Sequence, residues 1–120
     1  MFIADDSAVI RERLAELLAG LENVAIVGQA EDAPSAERGI ATTTPDVAII
    51  DIRMPGGSGI DVLRNVKRTA TGKPSVIMYT NYGLPQYRKA CADAGADFFF
   101  EKAKDANRLA DTIRTLAAEK

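Results

Sequence analysis

Short apolar runs alternate with amphipathic stretches five times along this chain of 120 residues. The strand-like runs cover roughly 1–5, 24–30, 46–51, 74–80 and 97–101, and each is rich in Val, Ile or Phe. Their near-continuous hydrophobicity predicts a parallel sheet buried on both faces. The helix-like stretches cover roughly 7–19, 34–43, 57–70, 84–94 and 105–118. In the first, Ile10, Leu14, Leu17, Leu18 and Leu21 recur at helical spacing, and the last carries Leu109, Ile113 and Leu116 on one stripe. Asp6-Ser7 offers N-cap types, Gly20 offers a C-cap type, and Pro34 suits the first position of the second helix. Strands and helices that alternate through short connections predict one domain over residues 1–120, a doubly wound α/β sandwich.

In such a sheet, ligands bind outside the carboxyl ends of the strands, at the point where strand order reverses. The residues at those junctions are Asp5 and Asp6, Asp51, Thr80 and Lys102. Asp51 closes the apolar run from Val47 to Ile50 and opens a turn through Pro55, Gly56 and Gly57. A carboxylate at the rim of a core needs a compensating group. If the junctions converge, Asp5, Asp6 and Asp51 repel one another unless a cation joins them. An all-oxygen donor set with room for water suits Mg²⁺. Lys102 adds a compact positive charge, Thr80 adds a hydroxyl donor, and Asp51 is placed to act as a nucleophile toward a phosphoryl group. Positioning and charge stabilisation are most of what phosphoryl transfer requires.

Composition narrows the remaining choices. The chain has no histidine, which removes Ser-His-Asp and Cys-His sites and histidine metal ligands. A single cysteine, Cys91, permits no internal disulfide and fits a reducing cytoplasm. A net charge of −2 argues against a nucleic-acid surface on this domain. No apolar stretch nears the ~20 residues of a membrane span, and the acidic start lacks the basic region of a secretory signal. Gly56-Gly57-Ser58-Gly59 is not followed by the Gly-Lys-Ser/Thr of a nucleotide loop and reads as a turn into the third helix.

The ordered set Asp5-Asp6-Ser7, Asp51-Ile52-Arg53-Met54-Pro55-Gly56-Gly57-Ser58-Gly59, Met78-Tyr79-Thr80 and Lys102 resembles a response-regulator receiver domain. This is the phospho-acceptor half of two-component signalling, and the resemblance covers essentially the whole chain. It implies a flavodoxin-like (βα)5 sandwich with a five-stranded parallel sheet in the order 2-1-3-4-5. It implies that Asp51 is the phospho-acceptor, that Asp6 binds Mg²⁺ directly, and that Asp5 does so mostly through water. Arg53 then supplies a backbone carbonyl to the metal. Thr80 matches the switch hydroxyl, Lys102 the phosphate-binding lysine, and Phe99 the aromatic switch that follows Thr80. Arg53 and Tyr82 fall at positions that tune the lifetime of the phosphoryl group. Strand alternation separately sends Phe99 to the face opposite Phe98 and Phe100.

The same resemblance implies a sensor histidine kinase or phosphotransfer protein as donor. It implies an output domain or target protein reached through the surface of the fourth helix, fifth strand and fifth helix, and it allows a phosphorylation-dependent dimer. The chemistry expected is self-directed phosphoryl transfer and slow dephosphorylation, not turnover of a free substrate. Two positions depart from the family pattern. Asn81 stands where a small residue usually follows the switch hydroxyl, and Ala103 stands where a proline often follows the lysine. Without proline a cis peptide costs ~3–4 kcal/mol, so a trans bond is expected at Ala103. These departures leave room for a phosphorylation-independent interaction module of the same fold. A flavodoxin-like electron carrier shares the architecture, but Asp5 and Asp6 would repel a flavin phosphate in its first loop. Many phosphatases with a nucleophilic aspartate carry a second acid two residues on, where this chain has Arg53. No effector segment follows the fifth helix, so the chain is expected to be a stand-alone receiver or a portion of a longer regulator.

Overall fold

The computed structural model describes residues 1–69 and 74–119. Five parallel strands, β1 (Phe2–Ala4), β2 (Gly28–Ala30), β3 (Val47–Ile50), β4 (Ser75–Thr80) and β5 (Phe98–Glu101), form one sheet in the order β2-β1-β3-β4-β5. The helices are α1 (Ala8–Ala19), α2 (Ala33–Thr43), α3 (Gly59–Thr69), α4 (Pro85–Asp93) and α5 (Ala106–Ala118). The doubly wound sandwich and the strand order match the expectation.

Strand alternation divides the core in two. Phe2, Ala48, Ile50, Val76 and Met78 face one cluster, closed by Ala36 and Ile40 of α2, Val62, Leu63 and Val66 of α3, and Cys91 of α4. Ile3, Val47, Ile49, Ile77 and Tyr79 face the other, closed by Leu14 and Leu18 of α1 and Leu109 and Ile113 of α5. Residues of opposite parity thus bury both faces of the sheet, the reason the strands read as unbroken apolar runs. Each large aliphatic side chain buried here contributes about 1.5–3 kcal/mol relative to exposure. Burial pushes the Cys91 thiol up to about 11, so it is a protonated packing group.

Ser7 caps α1 by accepting from Ile10 N at 3.3 Å, and Asp32 caps α2 by accepting from Ser35 N at 2.8 Å. Pro34 therefore falls at the second position of α2, not the first. Gly20 ends α1 in a right-handed conformation, so glycine is not conformationally required there.

Two elements differ from the sequence expectation. The second strand is confined to Gly28–Ala30. The register sets Phe2 opposite Gly28, so residues 24–27 lie beyond the last ladder pair. Met1 still donates to Ala25 O at 2.6 Å and accepts from Val27 N at 2.8 Å, while Val24 and Ile26 pack against the second cluster. The third helix starts at Gly59, not 57, and position 70 of its expected span lies outside the described residues. Gly57–Ser58 instead pairs antiparallel with Arg53–Met54 in a small hairpin. Gly56 and Gly57 make that turn at φ of 80° and 151°, a region L side chains rarely adopt.

Candidate functional site

Parallel strands bring all their carboxyl ends to one edge. Asp5 follows β1, Asp51 follows β3, Thr80 ends β4, and Lys102 follows β5. The crevice lies at β1 and β3, where the strand order reverses. Main-chain bonds extend the sheet one step to fix these positions. Asp5 N donates to Ala30 O at 3.0 Å, Asp51 N to Ala4 O at 3.0 Å, and Lys102 N to Thr80 O at 2.9 Å. A Cβ at Gly59 would run into the Asp51 carbonyl, so glycine there lets α3 begin directly against the third strand's end.

The side chains of Asp5, Asp51 and Lys102 meet. Lys102 Nζ lies 2.5 Å from Asp5 Oδ2 and 3.0 Å from Asp51 Oδ2, bridging the ends of β1 and β3 from β5. The other oxygens are also held: Asp5 Oδ1 accepts from Ser7 N at 2.9 Å, and Asp51 Oδ1 from Ile52 N at 2.7 Å. Asp5, Asp51 and Thr80 are buried, whereas Asp6 is exposed at the mouth. Carboxylate oxygens of Asp5, Asp6 and Asp51 all lie within 4.8 Å of one another, a group that could hold a metal ion. Thr80 Oγ1 accepts from Tyr82 N at 3.2 Å.

The electrostatics are those of an acidic site short of positive charge. Burial pushes the Asp5 carboxyl above its ordinary value, and the neighbouring Asp51 charge adds to this. Hydrogen bonds from Lys102 and Ser7 and the Lys102 charge only partly offset the rise. Burial alone would push the Lys102 ammonium down, but bonding to Asp5 and Asp51 and their charges hold it above the ordinary lysine value. Three carboxylates thus face one ammonium, and a bound cation would satisfy the excess. The donors are all hard oxygens, which fits a magnesium-like ion.

Arg53 and Tyr82 sit beside this crevice. The Arg53 guanidinium lies 4.6 Å above the Tyr82 ring, and Tyr82 meets Tyr87 edge-on at 6.0 Å. Phe99 packs against the α2–α4 cluster, while Phe98 and Phe100 stack 6.2 Å apart on the other face, as alternation predicts. The Lys102–Ala103 peptide is trans, there being no cis peptide bond among the described residues. Sequence reasoning missed Asp105. Its buried carboxylate accepts from Glu101 N at 2.9 Å, and its N–H donates to Glu101 O at 2.9 Å. This closes the turn that contains Lys102 and Ala103. The sequence reading puts Asp105 inside the fifth helix-like stretch, which instead begins at Ala106.

Comparison with known proteins agrees with this geometry. The family model for the response regulator receiver domain matches residues 1–114. The transcriptional regulatory protein YvfU of Bacillus subtilis is 35% identical over 115 residues, covering 95% of this chain and 56% of that protein. A protein-glutamate methylesterase/protein-glutamine glutaminase of Idiomarina loihiensis is 32% identical over 121 residues, covering 97% of this chain and 31% of that protein. The isolated REC domain of RcsB from Salmonella enterica, solved with the phosphomimetic BeF3−, superposes with a TM-score of 0.88 at 26% identity. That match covers 99% of this chain and 88% of the solved one. The chain belongs to the response regulator receiver domain family of two-component systems. It spans about half the length of the regulatory relatives it matches. Among the described residues no helix is long and apolar enough to cross a membrane.

Proposed function

We propose that Asp51 accepts a phosphoryl group from the phosphohistidine of a sensor kinase or phosphotransfer protein, or from a small phosphodonor. The observation that carries this reading is the Lys102 ammonium seated between Asp5 and Asp51 at the sheet's switch point. A carboxylate oxygen of Asp51 forms the new O–P bond as the P–N bond to the donor breaks, and the donor imidazole leaves with the bonding electron pair. Lys102 balances charge on the phosphoryl oxygens, and the Thr80 hydroxyl donates to one of them. Asp5, Asp6, Asp51 and the Arg53 carbonyl would hold Mg²⁺, which when bound neutralises and orients those oxygens. Phe99 then follows Thr80, and the surface of α4, β5 and α5 reports the change to an output domain, a target protein or a second copy of the chain.

On this reading residues 1–120 act as one domain whose chemistry is self-directed, in a cytoplasmic setting. The phosphorylation-independent module is not favoured, because the chain matches the receiver family over residues 1–114 and keeps the Lys102 contacts to Asp5 and Asp51 despite Asn81 and Ala103. Incubation with acetyl phosphate and Mg²⁺, followed by intact-mass measurement, tests the proposal.

Two further outcomes are expected. Mg²⁺ at about 100 times its Kd stabilises the wild type by about 2.7 kcal/mol, a rise of roughly 10 °C in Tm. Asp5→Asn removes a carboxylate whose folded-state pKa is raised, so its charge opposes folding at neutral pH. The variant should melt at or above the metal-free wild type at pH 7 and lose most of the Mg²⁺ shift. The wild type's deficit should close as pH falls through the raised Asp5 value. Calorimetric melts with and without Mg²⁺ check both, and a metal-free variant less stable than wild type would contradict the assignment.

The stacked Arg53 and Tyr82 bridge the loops after β3 and β4. Arg53→Ala and Tyr82→Ala open this mouth to water and should each shorten the phosphoryl lifetime by about three- to tenfold. Decay followed by intact mass after donor removal measures it, and unchanged kinetics in both variants would refute the role.

A further inference from the structure

Arg88 makes contacts that the phosphoryl chemistry does not use. From α4, its Nη2 donates to Glu101 Oε2 at 3.0 Å and its Nε to Gly83 O at 3.3 Å, while the guanidinium lies 4.6 Å over the Phe99 ring. These partners adjoin the carboxyl ends of β4 and β5. Glu101 is the ladder partner of Thr80 and immediately precedes Lys102. Gly83 belongs to the loop whose Tyr82 N donates to Thr80 Oγ1. The fit is close, because a Cβ at Gly83 would run into the Glu101 carboxylate. Phe99 and Glu101 share a strand face by alternation, so one guanidinium spans both.

We propose that Arg88 is a positioning residue that clasps α4 and the loop after β4 to the end of β5, and so sets how readily the acidic site takes up a phosphoryl group. The inference rests on the acceptor reading of Asp51. A shift of Phe99 away from the Arg88 guanidinium would give up the ring stack, and a shift of the loop after β4 would lengthen the bond to Gly83 O. The clasp therefore favours the packing seen here and lowers the population of the packing competent to hold the phosphoryl group. A lone exposed ion pair would do little, but here the ion pair, the carbonyl bond and the ring stack share one side chain. The Glu101 carboxyl is held below its ordinary value by Lys104 first and by Arg88 as well, so it stays ionised at neutral pH.

Calorimetric titration with beryllofluoride and Mg²⁺ reads the effect. Arg88→Met and Glu101→Gln are expected to bind about tenfold more tightly than wild type, with Arg88→Lys between them. In ¹³C-Phe-labelled protein, the Phe99 ring signals of both unliganded variants should move toward their positions in beryllofluoride-bound wild type. A loss of packing unconnected with the site would not produce that directed shift. Glu101→Gln keeps the side-chain shape and guards against misfolding of the Arg88 variants. Unchanged or weaker affinity in Arg88→Met and Glu101→Gln, with wild type binding normally, overturns the clasp alone. Failure of the wild type to bind overturns the acceptor reading and the clasp with it.

Discussion

Lys102→Met is expected to destabilise the metal-free protein by about 3–5 kcal/mol, the scale seen when one partner of a buried ion pair is removed. The Lys102 side chain is 8% exposed, and its partners Asp5 and Asp51 are 3% and 7% exposed. Without the ammonium, two buried carboxylates face each other with only their backbone N–H bonds for compensation. The pH dependence follows from the shifts. The Lys102 pKa is raised in the folded state, so its contribution is complete below the unfolded lysine value and is lost only as pH rises through the folded one. The gap between wild type and variant should therefore be flat through neutral pH and close on the alkaline side. On the acid side it should narrow as Asp5, already raised by burial, takes up a proton. Mg²⁺ should restore part of the lost stability, because a cation again joins the carboxylates. The variant should still accept phosphoryl groups about 10²–10³ times more slowly, since the metal does not replace a donor aimed at the transferring oxygens. Urea unfolding across pH, with and without Mg²⁺, checks the stability, and mass-resolved initial rates check the chemistry.

The core of this site was legible because a parallel α/β sheet puts every strand's carboxyl end on one edge. Once five apolar runs were recognised, Asp5, Asp51, Thr80 and Lys102 had to lie near one another. What that rule could not supply was reach. Lys102 comes from the far edge of the sheet, and only the structure shows its stem lying back to both carboxylates. Nor could it separate Asp5, buried and bonded to Ser7, from the exposed Asp6 beside it. The resemblance to receiver domains distinguished their roles.

The misplaced boundaries have local causes. Residues 24–27 carry a strand's composition but lie past the end of the ladder set by Phe2 and Gly28. Gly57 and Ser58 precede an amphipathic helix, yet the positive φ at Gly56 and Gly57 turns them into a hairpin with Arg53 and Met54. Asp105 and Arg88 act across elements, holding a turn and a strand end to neighbouring helices, and no periodicity in one segment reveals such a contact. The Asp105 carboxylate and amide close the turn that holds Lys102 and the trans peptide to Ala103.

Asp51→Asn should abolish phosphoryl acceptance while leaving the fold intact. The amide oxygen can still accept from Ile52 N, and the ion pair from Lys102 to Asp5 remains. The amide is nevertheless a far poorer nucleophile than a carboxylate, because its nitrogen lone pair is delocalised and it carries no charge. Phosphoryl acceptance is thus expected to depend on the Asp51 carboxylate. Incubating wild type and Asp51→Asn with acetyl phosphate and Mg²⁺ and weighing both intact tests it most directly. The wild type should gain the mass of one phosphoryl group and the variant should gain none. No gain in the wild type, or an equal gain in Asp51→Asn, would rule out Asp51 as the acceptor.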